Sequence, residues 1–382
     1  MNFDTFTRYA PAAAIAGLTM FAADAGAATR QFSICAVEQE WNYTGDNPMY
    51  ATTNHMTGAP YTDAELVFVG DPSPTNIGRI YTKARYVSCD ANGVELPRPA
   101  KDNHLGVLGP VIRAEVGDTI VVNFRNLTRF PTSVHPHGVF YDKNSEGAPY
   151  GGTIGPDDMV AAFGGTHTYT WGVPRRAGPG PNDPSSIAWL YHSHADEVGD
   201  TNAGLVGAII VTRNGEAKAD GSPKGVDKEF ISLFTVMDEN ASTYLDANIE
   251  KVVPGGPDAE TLKADEGFAE SNLKHSVNGL LYGTNHQYEM KVGDKVRWYV
   301  LSLGTEVDIH TPHWHGVTLL HAGRRTDVAE VFPGSSKVFS LRADNPGHWM
   351  FHCHVNDHII AGMHAMFTIL PGAKRIDESD WE

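Results

Sequence analysis

The pattern His-x-His occurs four times in this chain, twice in each half, at matched places in an internal repeat. Glu115-Val116-Gly117-Asp118-Thr119-Ile120-Val121-Val122 is answered by Lys291-Val292-Gly293-Asp294-Lys295-Val296-Arg297-Trp298. Each run leads to a His-x-His-Gly, His135-Pro136-His137-Gly138 and His313-Trp314-His315-Gly316. Each half then closes on a second pair, within Trp189–His194 and Trp349–His354. Ala203-Gly204-Leu205 or Ala361-Gly362-Met363 follows, and after it an apolar run. A unit used twice in 382 residues implies two similar domains in tandem.

Between these landmarks lie short β-type runs such as Ile120–Phe124, Thr166–Trp171, Lys295–Leu301 and Ser336–Leu341, broken by Gly, Pro, Asn and Asp. No long stretch has helical periodicity, so an all-β chain with one β-sandwich per half is expected. The Gly-, Lys- and Asp-rich stretch Asn214–Lys228 separates the halves. The expected division is domain 1 over 29–214, a linker over 215–228, domain 2 over 229–372 and a tail over 373–382. Residues 1–28 read as an export signal: Arg8 precedes the apolar stretch Ala10–Ala23, and Ala25-Gly26-Ala27 offers a small-residue cleavage pattern. The mature chain is thus expected to be secreted or periplasmic. No other segment approaches the ~20 apolar residues of a membrane span. A net charge of −17 without a basic run argues against nucleic-acid binding. Cys35 and Cys89 can form a disulfide in such a compartment or remain two buried thiols; sequence leaves both open.

Strand geometry gives the histidines their meaning. Residues i and i+2 share a face while i+1 points to the other. His352 and His354 therefore face one way and Cys353 the other, into its own sandwich. His310 precedes His313 by an odd offset and can also face inward. His358 and Met363 follow Cys353 by five and ten residues. A thiolate, two imidazoles and a weak axial thioether make a blue-copper set. Zinc would accept the first three but gains little from a thioether. At the matching positions of the first half stand Thr132, Ser193, Val198 and, after a two-residue insertion, Leu205. All inward ligands are gone there while both outward pairs remain. This is the pattern of one mononuclear site in the second half and a cluster shared by both halves. His55, His104, His167, His275, His286, His321, His348 and His364 belong to no motif and read as surface or satisfied core residues.

These motifs resemble the multicopper oxidases, and in layout the two-domain laccases with the blue copper in domain 2. Gly106–Phe124, Tyr191–Arg213 and Phe351–Met363 also resemble ceruloplasmin. The resemblance implies cupredoxin-like Greek-key sandwiches and four copper ions. His310, Cys353, His358 and Met363 would bind type 1 copper, and His135 and His313 type 2 copper. His137, His192, His194, His315, His352 and His354 would bind the type 3 pair. Cys353 would carry electrons to its neighbours His352 and His354. Reduction of O₂ to water consumes protons, and Glu146 and Asp357 match acidic positions of related oxidases that could supply them.

The expected activity is laccase-type, one-electron oxidation of phenols or aromatic amines coupled to four-electron reduction of O₂. The alternative is a metal oxidase acting on Fe(II) or Cu(I). Copper nitrite reductase is disfavoured, because its second copper needs only three histidines. The partners are a small-molecule reductant and O₂, with no nucleic acid and no membrane. Four outward histidines per domain must converge across an interface, and a head-to-tail ring achieves this, so a homotrimer is expected.

Overall fold

The computed structural model describes residues 27–152, 154–252 and 258–372. The export signal read over residues 1–28, apart from its last two residues, and the tail over 373–382 lie outside the described residues. In the first half the strands are β1 (Thr29–Asn42), β2 (Ile80–Ser88), β3 (Ile112–Glu115), β4 (Thr119–Asn126), β5 (His135–Pro136), β6 (Gly165–Gly172), β7 (Ser186–His192) and β8 (Val206–Thr212). The second half holds β9 (Lys228–Asp238), β10 (Leu273–Val277), β11 (Tyr288–Lys291), β12 (Lys295–Ser302) and β13 (Pro312–Trp314). It continues with β14 (Leu319–His321), β15 (Arg324–Thr326), β16 (Ser336–Arg342), β17 (Gly347–Cys353) and β18 (His364–Leu370).

The repeat read from sequence is a repeat of topology. The first half forms sheets β2-β1-β4-β6 and β3-β8-β7-β5, and the second forms β10-β9-β12-β16-β14-β15 and β11-β18-β17-β13. β4 runs parallel to β1 as β12 does to β9, and β8 parallel to β3 as β18 does to β11. Both halves are cupredoxin-like sandwiches. The four β-runs picked out from sequence fall within β4, β6, β12 and β16.

Among the described residues six short α-helices interrupt this plan: α1 (Asp63–Val69), α2 (Glu197–Ala203), α3 (Leu245–Val252), α4 (Ala259–Lys263), α5 (Glu266–Ser271) and α6 (Asn356–Ile360). None is long enough to give a sustained period. Side chains cap most of them; Thr62 and Glu65 form a reciprocal capping box at α1. Among the described residues no helix is long and apolar enough to cross a membrane.

An apolar seam joins the halves. Ala188, Leu190, Val206, Ala208 and Ile210 of β7 and β8 pack with Ile231, Leu233, Tyr299, Leu301 and Val338 of the second half. Trp189 and Tyr191 on the opposite face of β7 serve the first sandwich's own core. β8 is therefore buried on both faces, which explains its unbroken apolar run. Arg113 meets Glu229 at 2.9 Å, and the Ser336 hydroxyl donates to the Ala188 carbonyl at 2.6 Å. Deeper in the same junction Glu239 accepts from Lys83 and Tyr43 in a fully buried cluster. Cys35 and Cys89 are joined in a disulfide, which decides the alternative that sequence left open.

Candidate metal centre

β17 and the turn into α6 deliver the inward ligands. Cys353 lies on the core face of β17 with Phe351, and His310, Cys353 and Met363 are fully buried. His310 Nδ1 and His358 Nδ1 are 3.1 Å apart, and the Cys353 sulfur lies 3.8 Å and 3.5 Å from them. Met363 joins through its backbone, giving its carbonyl to Cys353 N–H and its N–H to the His358 carbonyl. Asp308 Oδ1 holds His310 Nε2 at 3.0 Å, which leaves Nδ1 turned to the sulfur. Burial alone would raise the Cys353 thiol, but His310 and His358 outweigh it and bring it down to about 6. His310 is correspondingly raised: burial opposes its charge, and Asp308 and Cys353 overcome that. A metal needs the thiolate, and this pocket favours it. The donor set fits copper.

The counterpart pocket in the first half cannot do this. Ser193 donates to Asp200 at 2.5 Å, Thr132 is buried with its hydroxyl unpartnered, Leu205 is buried and Val198 is exposed.

The outward pairs form two near-identical sets. In the first, His135 pairs with His192 across β5 and β7, and His137 Nε2 meets His192 Nε2 at 3.1 Å. In the second, His313 pairs with His352 across β13 and β17, and His315 Nε2 meets His352 Nε2 at 3.1 Å. His194 and His354 complete them, with ring centres 5.2 Å from His135 and 5.5 Å from His313. Burial, aided by neighbouring imidazoles, pushes His137, His192 and His352 down to about 4, so they stay neutral and able to ligate. The glycine ending each His-x-His-Gly has a specific task. Gly138 and Gly316 sit at φ of 75° and 70°, and a Cβ would come within 2.1 Å of Trp189 or 2.8 Å of Trp349.

Among the described residues no ring of one set touches a ring of the other. The sheet carrying His192 packs on β9, β12 and β16, whereas His313 and His352 belong to the other sheet of the second sandwich. One chain therefore displays two separate half-sets.

The two proposed acids differ in place. The Glu146 carbonyl accepts from His135 Nδ1 at 2.7 Å, which ties this residue to the first set. Burial works against its carboxylate, yet Lys143 and Tyr150 outweigh this and hold it below its ordinary value. Asp357 is exposed on α6 beside His358, on the inward-ligand side rather than at the outward pairs. Three residues with no motif prove to be neighbours of ligands. His275 packs its ring 5.3 Å from His358, Glu197 approaches His194 Nε2 at 3.2 Å, and Asp327 approaches His313 Nε2 at 3.7 Å. His275 matches its reading as a satisfied core histidine, being buried with Nδ1 on the Leu273 carbonyl at 3.1 Å, and it also packs against His358. His104 matches that reading too: it is buried and accepts from Ile231 N–H.

Two multicopper oxidase family profiles match this chain, over residues 104–216 and 254–373. Ferroxidase HEPHL1 from Homo sapiens is 40% identical over 352 residues, covering 90% of this chain and 29% of that protein. Ceruloplasmin from Homo sapiens is 37% identical over 346 residues, covering 89% of this chain and 31% of that protein. The chain thus spans less than a third of the length of these relatives. In structure it is similar to a blue copper oxidase from Nitrosomonas europaea, with a TM-score of 0.54 at 18% identity over 89% of this chain and 86% of that chain. The profiles fall one on each half of the repeat and the relatives span both, so this chain belongs to the multicopper oxidase family.

Proposed function

We propose that this chain oxidises a reduced metal ion, Fe(II) or Cu(I), one electron at a time, and couples four such steps to reduction of O₂ to water. His310, Cys353, His358 and Met363 would hold the type 1 ion. His135 and His313 would hold type 2, and His137, His192, His194, His315, His352 and His354 the type 3 pair, four copper ions in all. Bound copper supplies the one-electron chemistry; the protein supplies position and electrostatics. Cys353 lies between His352 and His354 in the chain, so a short covalent path links the two kinds of site. Glu146, beside His135, would pass protons to the outward pairs.

The choice of reductant rests on one observation. The electron-accepting end, at His358, is flanked by the exposed carboxylate of Asp357 and the ring of His275. A carboxylate beside an imidazole suits a metal cation, whereas a phenol favours an apolar wall. The name of one relative, a ferroxidase, supports the same choice, so the laccase-type expectation becomes the second reading. That reading keeps one support, Ile360, 64% exposed on the same helix. Anaerobic mixing of the oxidised protein with Fe(II), and separately with 2,6-dimethoxyphenol, decides between them. Faster bleaching of the blue absorption by Fe(II) is expected; faster bleaching by the phenol refutes the metal-oxidase reading.

The separated half-sets support the homotrimer as a working assembly, in which each cluster takes four histidines from each of two chains. The outward face of β17 and β18 carries Met350 and Met366, counterparts of Leu190 and Ala208 in the seam. Heterologous contacts of this kind close into a ring when the rotation permits. Three chains end to end also approach the length of one relative. The Cys35–Cys89 disulfide supports an oxidising compartment, hence export.

A further inference from the structure

We propose that His55, His286 and His348 form a further metal site, taking one divalent ion of the copper or zinc class. The three residues come from distant segments. His55 lies in the first-half loop after Pro48–Ala51, His286 between β10 and β11, and His348 on the outward face of β17. The His55 ring centre is 5.1 Å from that of His286 and 6.4 Å from that of His348. Metal–nitrogen bonds of about 2.0–2.1 Å place two imidazoles on one ion with ring centres about 5–6 Å apart. His55 and His286 already meet this spacing. His348, exposed at the strand surface, lies somewhat farther out and would have to swing towards His55 to complete the set.

Two of the three rings have Nδ1 engaged. His286 Nδ1 pairs with the Thr284 carbonyl at 2.9 Å, and His348 Nδ1 with the Thr368 hydroxyl at 2.8 Å. Such bonds fix ring orientation and leave Nε2 for metal. The exposed Gln287 amide, 3.3 Å from His286 Nε2, is readily displaced. Tyr50 packs edge-on against His55 and His286, with ring centres 4.7 Å and 6.0 Å away. Burial first, and then His286 and His348, lower the His55 pKa, which keeps it neutral. Tyr50 and His286 also line a cavity of about 650 Å³. None of the three belongs to a His-x-His pair. The counterpart of His348 in the first half is Ala188, buried in the seam. The bound ion would strap the first-half loop onto the second sandwich.

The test uses copper-loaded protein dialysed against Zn(II), with both metals counted by mass spectrometry. Wild type should retain one metal ion more per chain, zinc and copper counted together, than His55→Gln or His348→Asn, whose zinc affinity should fall at least about tenfold. Blue absorption should match across the three proteins, which shows that the variants are folded. An equal total of zinc and copper per chain in all three overturns the site.

Discussion

The ring of His275 lies 5.3 Å from that of His358 at an interplanar angle of 47°, with the edge of Phe68 5.8 Å away on the same imidazole. If this surface receives metal ions, Asp357→Asn should slow bleaching of the blue absorption by Fe(II) about tenfold, the scale of local electrostatic steering. Bleaching by 2,6-dimethoxyphenol should change little. Stopped-flow traces with both reductants settle the matter; equal losses for both would point to damage at the blue site itself.

Replacing Cys353 by Ser should remove the thiolate-to-copper absorption and all turnover, because no other thiol reaches His310 and His358. Ser193→Cys should not create a second blue site, since Thr132, Val198 and Leu205 offer no ligand set around it. Optical spectra of the two copper-loaded variants check both statements.

On the proposed assembly, activity is a property of the ring and not of one chain. His137→Ala and His315→Ala should each be inactive alone. Dissociated, mixed and reassembled, they should regain part of the O₂ uptake, because some interfaces then hold all eight outward histidines. Light scattering showing a monomer, with no recovery on mixing, would refute the shared cluster.

Asp200 gives a pH signature. Burial raises its carboxyl to about 7 from an ordinary 3.8, against the lowering effect of the Ser193 hydroxyl. The folded state therefore holds this proton more tightly than the unfolded chain. Its stabilising effect is full below about pH 4 and is lost as pH rises towards 7. Asp200→Asn should stabilise the copper-free protein at pH 8 by on the order of 2–4 kcal/mol and leave it unchanged at pH 4. Denaturant titrations at the two pH values provide the comparison.

Glu146→Gln should leave reduction of the blue site intact while slowing O₂ reduction, most strongly at higher pH where protons are scarce. Single-turnover reoxidation of the reduced protein by O₂ is the measurement. Unchanged rates across pH would remove this carboxylate from the proton path.

Strand alternation made much of the site legible beforehand. It separated Cys353 from His352 and His354, and the odd offset of His310 placed that residue inward, where it lies buried beside Cys353 and His358. The empty counterpart at Thr132 and Ser193 was legible for the same reason. The place of His275 beside His358 was not, because only the pairing of β10 with β9 brings it against α6, more than 80 residues on. The three short helices over 245–271 carry too few turns for a period to register. Cys35 and Cys89 are 54 residues apart, and only the register of β1 against β2, with Cys35 opposite Val87, brings them together.

Cys353 is the single unpaired thiol and is wholly enclosed beside His310, Phe351 and Met363. An alkylating reagent can reach it only when the second sandwich opens. In copper-free protein the rate of labelling at this one sulfur therefore works as a clock for that opening. The same enclosure keeps a thiol poised towards thiolate from exchanging with the Cys35–Cys89 disulfide before copper arrives.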